Sequence, residues 1–387
     1  MATDLLKSGW TDLDSAELRF ILLECIGGPG QYYGRDSNPN TFYLPLAGPS
    51  CRIKLIFSNS KQIIAIQPGP AFDPTQWEKV VQEIERTGPY KVGRDCSFSS
   101  FRVVGSWRGK RSGVQILPPP ADAPRAPVEM TEHPFILEYP VKVSDLWPIT
   151  NFRRMREHRL LTFLLNVLLG GRTTIQPRRP RHLWAIVHEK GVAGQEVKWV
   201  QEFYFENFGE AVRDDLSTPA AETLDEVDPE TYYATVGHDG RGLQVPADLD
   251  DSICCYIRLS KANRDNFGRA GFWMDMASRL WKLSFSASFT SLVIAIESLA
   301  DRGTCGAAAR FRNFIERYAP GASLENRRRE MYALRSDILH GSGLMEMDQD
   351  AHFGWAPPER KEEDLMDELW GLTRIAVRNW LKNPSPT

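Results

Sequence analysis

Apolar residues recur at helical spacing along most of the last third of the chain. The pattern predicts five amphipathic helices, at 264–281, 285–300, 307–318, 324–340 and 362–381. Between them, Pro320 with Gly321 and Pro357 with Pro358 indicate loops. Adjacent amphipathic helices of this kind are typical of a helical bundle with its own core, so we place a domain boundary near residue 260.

The residues before this boundary mix short β-type runs with helical patterns. Runs of β-branched and aromatic residues predict strands at 42–44, 53–57, 62–66, 101–104, 113–117, around Trp184, around Trp199 and at 253–257. Helical spacing predicts helices at 14–25, from Pro74 to before Gly88, and at 151–169. The predicted fold class is α+β, with an N-terminal mixed, β-rich region (1–260) and an all-α C-terminal bundle (261–387). The proline-rich stretch at 118–127 can join two lobes of the first region.

Composition and charge narrow the classes of function. The 387 residues are 42% hydrophobic and 25% charged, as in ordinary globular proteins, and the formal net charge is -3. Nucleic acid would therefore have to be contacted by local basic patches, because the whole chain is not basic. The sequence has neither a signal-peptide pattern nor an apolar run long enough to span a membrane, so we expect a cytoplasmic protein without a membrane partner.

Motifs for metals and cofactors are missing from the sequence. The six cysteines are scattered, with no C-x2-C pair and no histidine at zinc-finger spacing, so we expect reduced thiols and no metal site. No glycine-rich phosphate loop, G-x-S-x-G or H-E-x-x-H motif is present. We therefore expect no cofactor.

Two basic clusters precede the central part of the chain. Arg153, Arg154 and Arg156 lie near the start of the predicted helix at 151–169, and a loop beyond it carries Arg178, Arg179 and Arg181. A charge run is often only solvated surface. Basic side chains early in a helix are destabilising, because their charge opposes the helix dipole unless a nearby anion compensates it. This favours a second interpretation, in which the arginines form a patch that contacts RNA phosphates.

The segment from Met331 to Gly341 carries the strongest candidate chemistry. Gly341 is expected to end the helix in the left-handed conformation, which places His340 in the last turn. There a positively charged side chain interacts favourably with the dipole, and a histidine can donate or accept a proton. Arg335 lies five residues earlier, about 140° around the helix axis, so both groups can meet one phosphate only beyond the helix end or across a two-fold axis.

Three helical segments together resemble one known family. They are Leu292-Val-Ile-Ala-Ile-Glu297-Ser-Leu299, Arg310-Phe-Arg-Asn-Phe-Ile-Glu-Arg-Tyr318 and Leu334-Arg-Ser-Asp-Ile-Leu-His-Gly341. In this order they resemble the HEPN superfamily, in the branch that forms the C-terminal domain of prokaryotic abortive-infection and phage-defence proteins. The resemblance covers roughly the last third of the chain and implies a HEPN-like helical bundle there.

The resemblance also implies an activity. Members with an Arg-x4-6-His motif are metal-independent endoribonucleases whose active site forms from two copies of the motif in a homodimer. Arg335 and His340 match that motif, and Glu297 matches an acidic position on an earlier helix. The expected role of Glu297 or Asp337 is to orient the arginine or the imidazole, although an ordinary surface or salt-bridge role is the simpler interpretation of Asp337.

Other interpretations of the same residues stay open. Arginine and histidine are both common in the last turn of a helix, where they stabilise it without forming a site. Ser336 follows the arginine, where active members of the family often carry Asn, Asp or His. The chain can therefore also be a non-catalytic HEPN-type module that binds a nucleotide or RNA or that dimerises. A third possibility is that the N-terminal region reads nucleic acid and the bundle only holds two copies together.

Overall fold

In the computed structural model of the chain, helices are mixed with strands up to residue 246. From Leu249 onward the described residues contain helices and turns but no strand. The structure describes residues 5–7, 10, 13–26, 34–35, 40–46, 48–59, 62–70, 72–85, 88–120, 133–170, 173–174, 182–188, 195–201, 210–234, 242–281, 283–301, 305–321, 325–349 and 360–384. The α+β class is confirmed at this level, with strands towards the N-terminus and helices towards the C-terminus.

The described residues form helices and strands that we number in chain order. The helices are α1 Ser15–Ile26, α2 Pro74–Glu85, α3 Trp147–Leu168, α4 Pro229–Ala234, α5 Leu249–Arg258, α6 Lys261–Leu280, α7 Phe285–Leu299, α8 Ala307–Tyr318, α9 Glu325–His340 and α10 Arg360–Lys382. The strands are β1 Gly34–Arg35, β2 Thr41–Leu46, β3 Gly48–Phe57, β4 Ile63–Pro68, β5 Tyr90–Ser99, β6 Trp107–Arg108, β7 Gln115–Leu117, β8 His133–Lys142, β9 Thr173–Thr174, β10 His182–His188, β11 Gln195–Gln201, β12 Val212–Arg213, β13 Glu226–Val227 and β14 Val245–Pro246.

The chain divides into two compact units. One contains residues 1–93 and 140–157, and the other contains residues 94–139 and 158–387. Their limits fall inside β5, β8 and α3, so three elements contribute to both units. The predicted boundary near residue 260 lies inside the second unit, between α5 and α6, and an independent bundle from residue 261 stays a prediction.

The first unit places helices on an antiparallel sheet. Its strands have the order β1-β2-β3-β4. Alternate residues of β3, together with Ile63 and Ile66 of β4, lie in the core with the apolar faces of α1 and α2. At the start of α2, Asp73 accepts a hydrogen bond from the Thr75 amide (2.9 Å), and Pro74 occupies the first helical position. The predictions for α1, for α2 and for the strands at 42–44, 53–57 and 62–66 are confirmed.

The strands of the second unit only partly follow the sequence pattern. Its largest sheet has the order β12-β5-β8-β7-β6, with β9 also paired to β5. Strands were predicted around Trp184 and Trp199, and β10 and β11 confirm them as an antiparallel pair. The strand predicted at 101–104 is wrong, because the Ser99 hydroxyl accepts a hydrogen bond from the Phe101 amide (3.1 Å) and turns the chain.

The helices from α5 to α10 supply most of the core of the second unit. The strand predicted at 253–257 is wrong, because Ile253 belongs to α5. Leu249, Ile253 and Tyr256 lie on its buried side, while Ile257 is exposed. Further along, Phe267 of α6 stacks on Trp380 of α10, with ring centroids 6.3 Å apart. The five helices predicted after residue 260 are confirmed, each within three residues at either end.

Long apolar helices are missing from the described residues. None of their helices has the length and hydropathy needed to cross a membrane.

Candidate functional site

Helix α9 is fixed by ion pairs to three neighbouring helices. Arg328 pairs with Glu316 of α8, Arg327 Nε lies 2.9 Å from Glu368 Oε2 of α10, and Arg335 Nη2 lies 2.7 Å from Glu297 Oε2 of α7. The Met331 side chain is fully buried between these contacts. These three pairs and the buried Met331 connect α9 to α7, α8 and α10.

The end of α9 is a glycine-capped turn, as predicted. Gly341 has φ +72°, its amide donates to the Ile338 carbonyl (3.2 Å), and the Ser342 amide donates to the Asp337 carbonyl (2.9 Å). These are the two hydrogen bonds of a Schellman motif, in which glycine takes the left-handed conformation without steric cost. His340 is consequently the last helical residue.

Arg335 is held from two sides. Its Nη2 donates to Glu297 Oε2 (2.7 Å), and Glu297 Oε1 accepts a hydrogen bond from the Tyr332 hydroxyl (3.1 Å). The guanidinium also lies over the Tyr332 ring, 5.4 Å from its centroid, which is a cation–π contact. Both carboxylate oxygens of Glu297 are used, one by each partner, so the arginine has a defined orientation.

The electrostatics of this cluster favour a neutral Tyr332. Burial raises the pKa of the phenol, and the charge of Glu297 and the hydrogen bond to it act in the same direction. Tyr332 therefore stays a hydrogen-bond donor to Glu297. Arg335 and Glu297 keep 18% and 23% of their side-chain surface exposed, so the pair is reachable from solvent.

His340 lies at the open end of the same helix. Its side chain is exposed, and no described residue makes a hydrogen bond or an ion pair with it. Exposed Leu339 and Leu344 flank it, at 49% and 52% of their surface. Within one chain, the imidazole is free to meet a ligand or a second protein surface.

Asp337 does not join the cluster. Its carboxylate and its carbonyl both accept hydrogen bonds from the Ser342 hydroxyl, at 3.4 and 3.1 Å. Among the described residues it has no ion pair with Arg335 or His340. These contacts favour the interpretation of Asp337 as a residue of the helix end.

The residues after α9 return to the start of α7. Asp348 accepts hydrogen bonds from the Phe285 and Ser286 amides, at 2.8 and 2.7 Å, and from the Ser284 hydroxyl. Burial raises the pKa of Asp348, but the hydrogen bonds from Ser286, Ser284 and Phe285 outweigh it and the net pKa is lowered. Arg335 contacts the other end of α7, so α7 and α9 run antiparallel. The hydrogen bonds to Asp348 anchor the turn after His340 at the start of α7.

The arginines at the start of α3 have partners of their own. Arg153 is buried, with Nε 2.8 Å from Glu17 Oε1 and Nη1 3.1 Å from Glu83 Oε1. Arg156 pairs with Glu17 (2.9 Å) and Asp14 (3.4 Å). The anion that compensates these charges therefore comes from the protein itself, which favours the structural interpretation and leaves Arg153 unable to contact RNA in this conformation.

The remaining basic residues give less information. Arg154 Nη2 donates to Asn151 Oδ1 (2.8 Å) within the same helix. Arg178, Arg179 and Arg181 lie outside the described residues. Their proposed contact with RNA stays a prediction.

Tyr332 is the member of the cluster that sequence reasoning missed. The sequence pattern counts it as an apolar position of α9. It lies three residues before Arg335, a spacing that brings two side chains together on one helix face. An aromatic residue one turn before a candidate arginine was the signal available in the sequence.

Comparison of the chain with models of protein families, with curated proteins and with solved structures found no match in any of the three. What the cluster can do therefore follows from its own residues.

Proposed function

We propose that the protein is a metal-independent endoribonuclease of the defence or toxin type, acting in the cytoplasm as a homodimer with a site at the end of α9. The proposal rests mainly on one observation. Arg335 is oriented by Glu297 and Tyr332, on a capped helix that ends with an exposed His340. The three segments that carry the resemblance to the HEPN superfamily lie in α7, α8 and α9.

The chemistry needs a base, an acid and a positive charge. The base takes the proton of a ribose 2′-OH, and that oxygen attacks the adjacent phosphorus in line. The bond to the 5′-oxygen then breaks as the acid protonates it, leaving a 2′,3′-cyclic phosphate. A guanidinium stabilises the negative charge that develops on the phosphate oxygens. One His340 cannot be base and acid together, so two copies supply the pair.

The spacing of Arg335 and His340 also favours a dimer. About 140° separates them around the axis of α9, so the two side chains of one helix diverge. A two-fold axis beside the helix end would bring Arg335 of one copy towards His340 of the other. Leu339 and Leu344, both about half exposed, supply apolar surface for such a contact.

The alternative is a non-catalytic HEPN-type module that binds a nucleotide or RNA, or that dimerises. Two observations favour it. Ser336 follows the arginine, and the Arg335–Glu297 pair, about one-fifth exposed, also has a purely structural use in joining α9 to α7. If the bundle only dimerises, the N-terminal region is the part that recognises nucleic acid.

Incubation with RNA separates the two. Purified protein is mixed with total RNA in buffer containing EDTA, and the new ends are mapped by sequencing and tested for cyclic phosphate. Sedimentation in the same buffer reports the oligomeric state. The proposal expects a dimer and cyclic-phosphate ends. Intact RNA with a shifted sedimentation boundary supports the binding module, and a monomer both free and RNA-bound excludes the composite site.

A further inference from the structure

Helix α8 begins with a basic side chain that no described carboxylate neutralises. Arg310 lies in the first turn of α8, and this turn contains no acidic residue. A positive charge at this end of a helix opposes the helix dipole. At the start of α3 the same conflict is resolved by Glu17 and Glu83 of the protein itself. Among the described residues, the guanidinium of Arg310 makes one hydrogen bond, from Nη1 to the Cys305 carbonyl (3.3 Å), and no ion pair.

Neighbouring arginines show that this is unusual for α8 and α9. Every arginine of α9 forms an ion pair with a carboxylate, and so does Arg317 of α8. Among the described residues of these two helices, Arg310 and Arg312 are the arginines without one. Arg312 lies two residues further along α8, about 200° around the helix axis, so the two side chains leave the helix in different directions.

Arg310 lies at the edge of the cluster around Arg335. The residue after it, Phe311, is fully buried, with its ring centroid 5.5 Å from that of Tyr332. Burial and Glu297 raise the pKa of Tyr332, and the charges of Arg335 and Arg310 both act against them. The guanidinium of Arg310 is therefore close enough to Tyr332 to influence it. Arg310 is also partly exposed, so a ligand can reach it.

The charges beside Tyr332 do not balance. Glu297 supplies one negative charge, whereas Arg335 and Arg310 supply two positive charges. Arg335 binds Glu297 at 2.7 Å, so the charge of Arg310 is left over. A guanidinium offers a planar fork of donors that matches the oxygens of a phosphate.

We propose that Arg310 binds the RNA phosphate next to the one that is cleaved. This inference rests on the proposed nuclease and narrows its substrate class. The substrate would be a single-stranded chain with at least two phosphodiester groups, because one is cleaved near Arg335 and the other is held by Arg310. Arg310 would then determine the preference for longer substrates without taking part in the chemistry.

A local explanation competes with this role. The hydrogen bond from Arg310 to the Cys305 carbonyl can fix the start of α8 without any ligand. It uses one of the five N–H donors of the guanidinium, and a neutral carbonyl does not compensate the positive charge. The two explanations differ in whether Arg310 changes the salt dependence of RNA binding.

The first test measures binding without cleavage. A short single-stranded RNA with 2′-O-methyl groups lacks the attacking hydroxyl, so it stays intact. Fluorescence anisotropy at several salt concentrations gives its Kd and the slope of log affinity against log salt. Arg310→Met should weaken binding about tenfold and reduce the slope by about 0.7, because one phosphate contact is lost. Arg312→Met removes an arginine without an ion pair from the same helix and should change neither value.

The second test locates the contact beside the cleaved phosphate. Cleavage of a dinucleoside monophosphate and of a trinucleoside diphosphate is compared in buffer containing EDTA. The second phosphate should raise kcat/KM of the wild type about tenfold, mainly by lowering KM. Arg310→Met should lose this gain and should cleave the shorter substrate at the wild-type rate.

A variant that keeps the charge covers a structural effect of Arg310→Met. Arg310→Lys retains a positive charge at the start of α8, so its salt slope should equal that of the wild type, although its single ammonium lacks the fork and binds more weakly. A slope reduced as far as in Arg310→Met would assign the loss to the start of the helix and overturn the contact.

Failure of this inference can be told apart from failure of the nuclease. Equal effects of Arg310→Met and Arg312→Met on the salt slope overturn the phosphate contact, even if the wild type cleaves RNA. So do a wild type that does not bind the methylated RNA and a wild type that cleaves both short substrates equally well. Binding that depends on Arg310, without any cleavage of RNA, keeps the contact and refutes the nuclease.

Discussion

The start of α3 and the end of α9 both set arginines against carboxylates, but the surroundings differ. Arg153 is buried between Glu17 and Glu83, and Arg156 forms an ion pair with Asp14. Arg335 has the single carboxylate of Glu297 and a tyrosine, and an exposed histidine lies five residues further along its helix.

This difference separates a structural charge from a candidate site. At α3 three carboxylates face two arginines, Arg153 and Arg156, so neither arginine has a charge left for an external phosphate. At α9 the single carboxylate orients the arginine and leaves part of its surface exposed. A run of basic residues therefore says little about binding until the acids that other elements bring to it are known.

The largest expected effect on stability is at α3. Arg153→Met leaves Glu17 and Glu83 without their shared buried partner, so the free energy of unfolding should fall by about 3 to 5 kcal/mol. Urea denaturation of the full chain measures it. Lys79→Met, an exposed lysine of α2 in the same unit, is the control and should stay within about 0.5 kcal/mol of the parent. A loss for Arg153→Met no larger than the control contradicts the structural role.

For Arg335, the expected effect is on RNA cleavage. Arg335→Ala removes the positive charge proposed to stabilise the transition state, so RNA cleavage should slow by about 10² to 10³. The control is Arg329→Ala on the same helix, where an exposed pair with Glu325 is lost. It should cleave at the rate of the wild type. Equal slowing in both variants would assign the loss to the helix and not to the site.

Local sequence patterns predict α9 well because their causes are local. Met331 faces the core at helical spacing, and Gly341 ends the helix through hydrogen bonds within six residues. The candidate pair Arg335 and His340 could be found in the same way. Its orientation by Tyr332 and Glu297 could not, because Glu297 lies 38 residues away in sequence.

Strand β5 shows why other elements were missed. It carries Arg94 and Asp95, which a local pattern assigns to a loop or surface. Their charges are met by β8, where Arg94 pairs with fully buried Glu138 (2.6 Å) and Asp95 accepts from the Tyr139 hydroxyl (2.6 Å). Buried charges paired across strands do not give a period-two apolar signal.

A smaller effect is expected at the end of α9. Gly341→Ala puts a side chain in the left-handed region, which should cost about 1 to 2 kcal/mol of stability. Gly343→Ala is the control, because its Cβ would meet only Asp337, at an ordinary 3.9 Å. Urea denaturation of both variants compares them. Equal stability of the two would mean that the capped turn does not hold His340 in place.

The smallest expected effect concerns the loop arginines. Arg178→Glu combined with Arg179→Glu should reduce the slope of log affinity against log salt by about 1.4, since each lost phosphate contact on single-stranded RNA accounts for about 0.7. Filter binding at several salt concentrations measures this slope. Arg153→Met should leave it unchanged. An unaltered slope in the double variant would return Arg178 and Arg179 to ordinary surface.

The most direct test of the nuclease assignment compares RNA cleavage by the wild type and by His340→Ala in EDTA. The wild type should cut RNA in the presence of the chelator and leave 2′,3′-cyclic phosphate ends, because the nucleophile is the 2′-OH of the RNA itself. His340→Ala should be slower by about 10² to 10⁴, with an unchanged unfolding curve and sedimentation coefficient. A magnesium requirement, or a parental rate for His340→Ala, would contradict the role of His340 in catalysis.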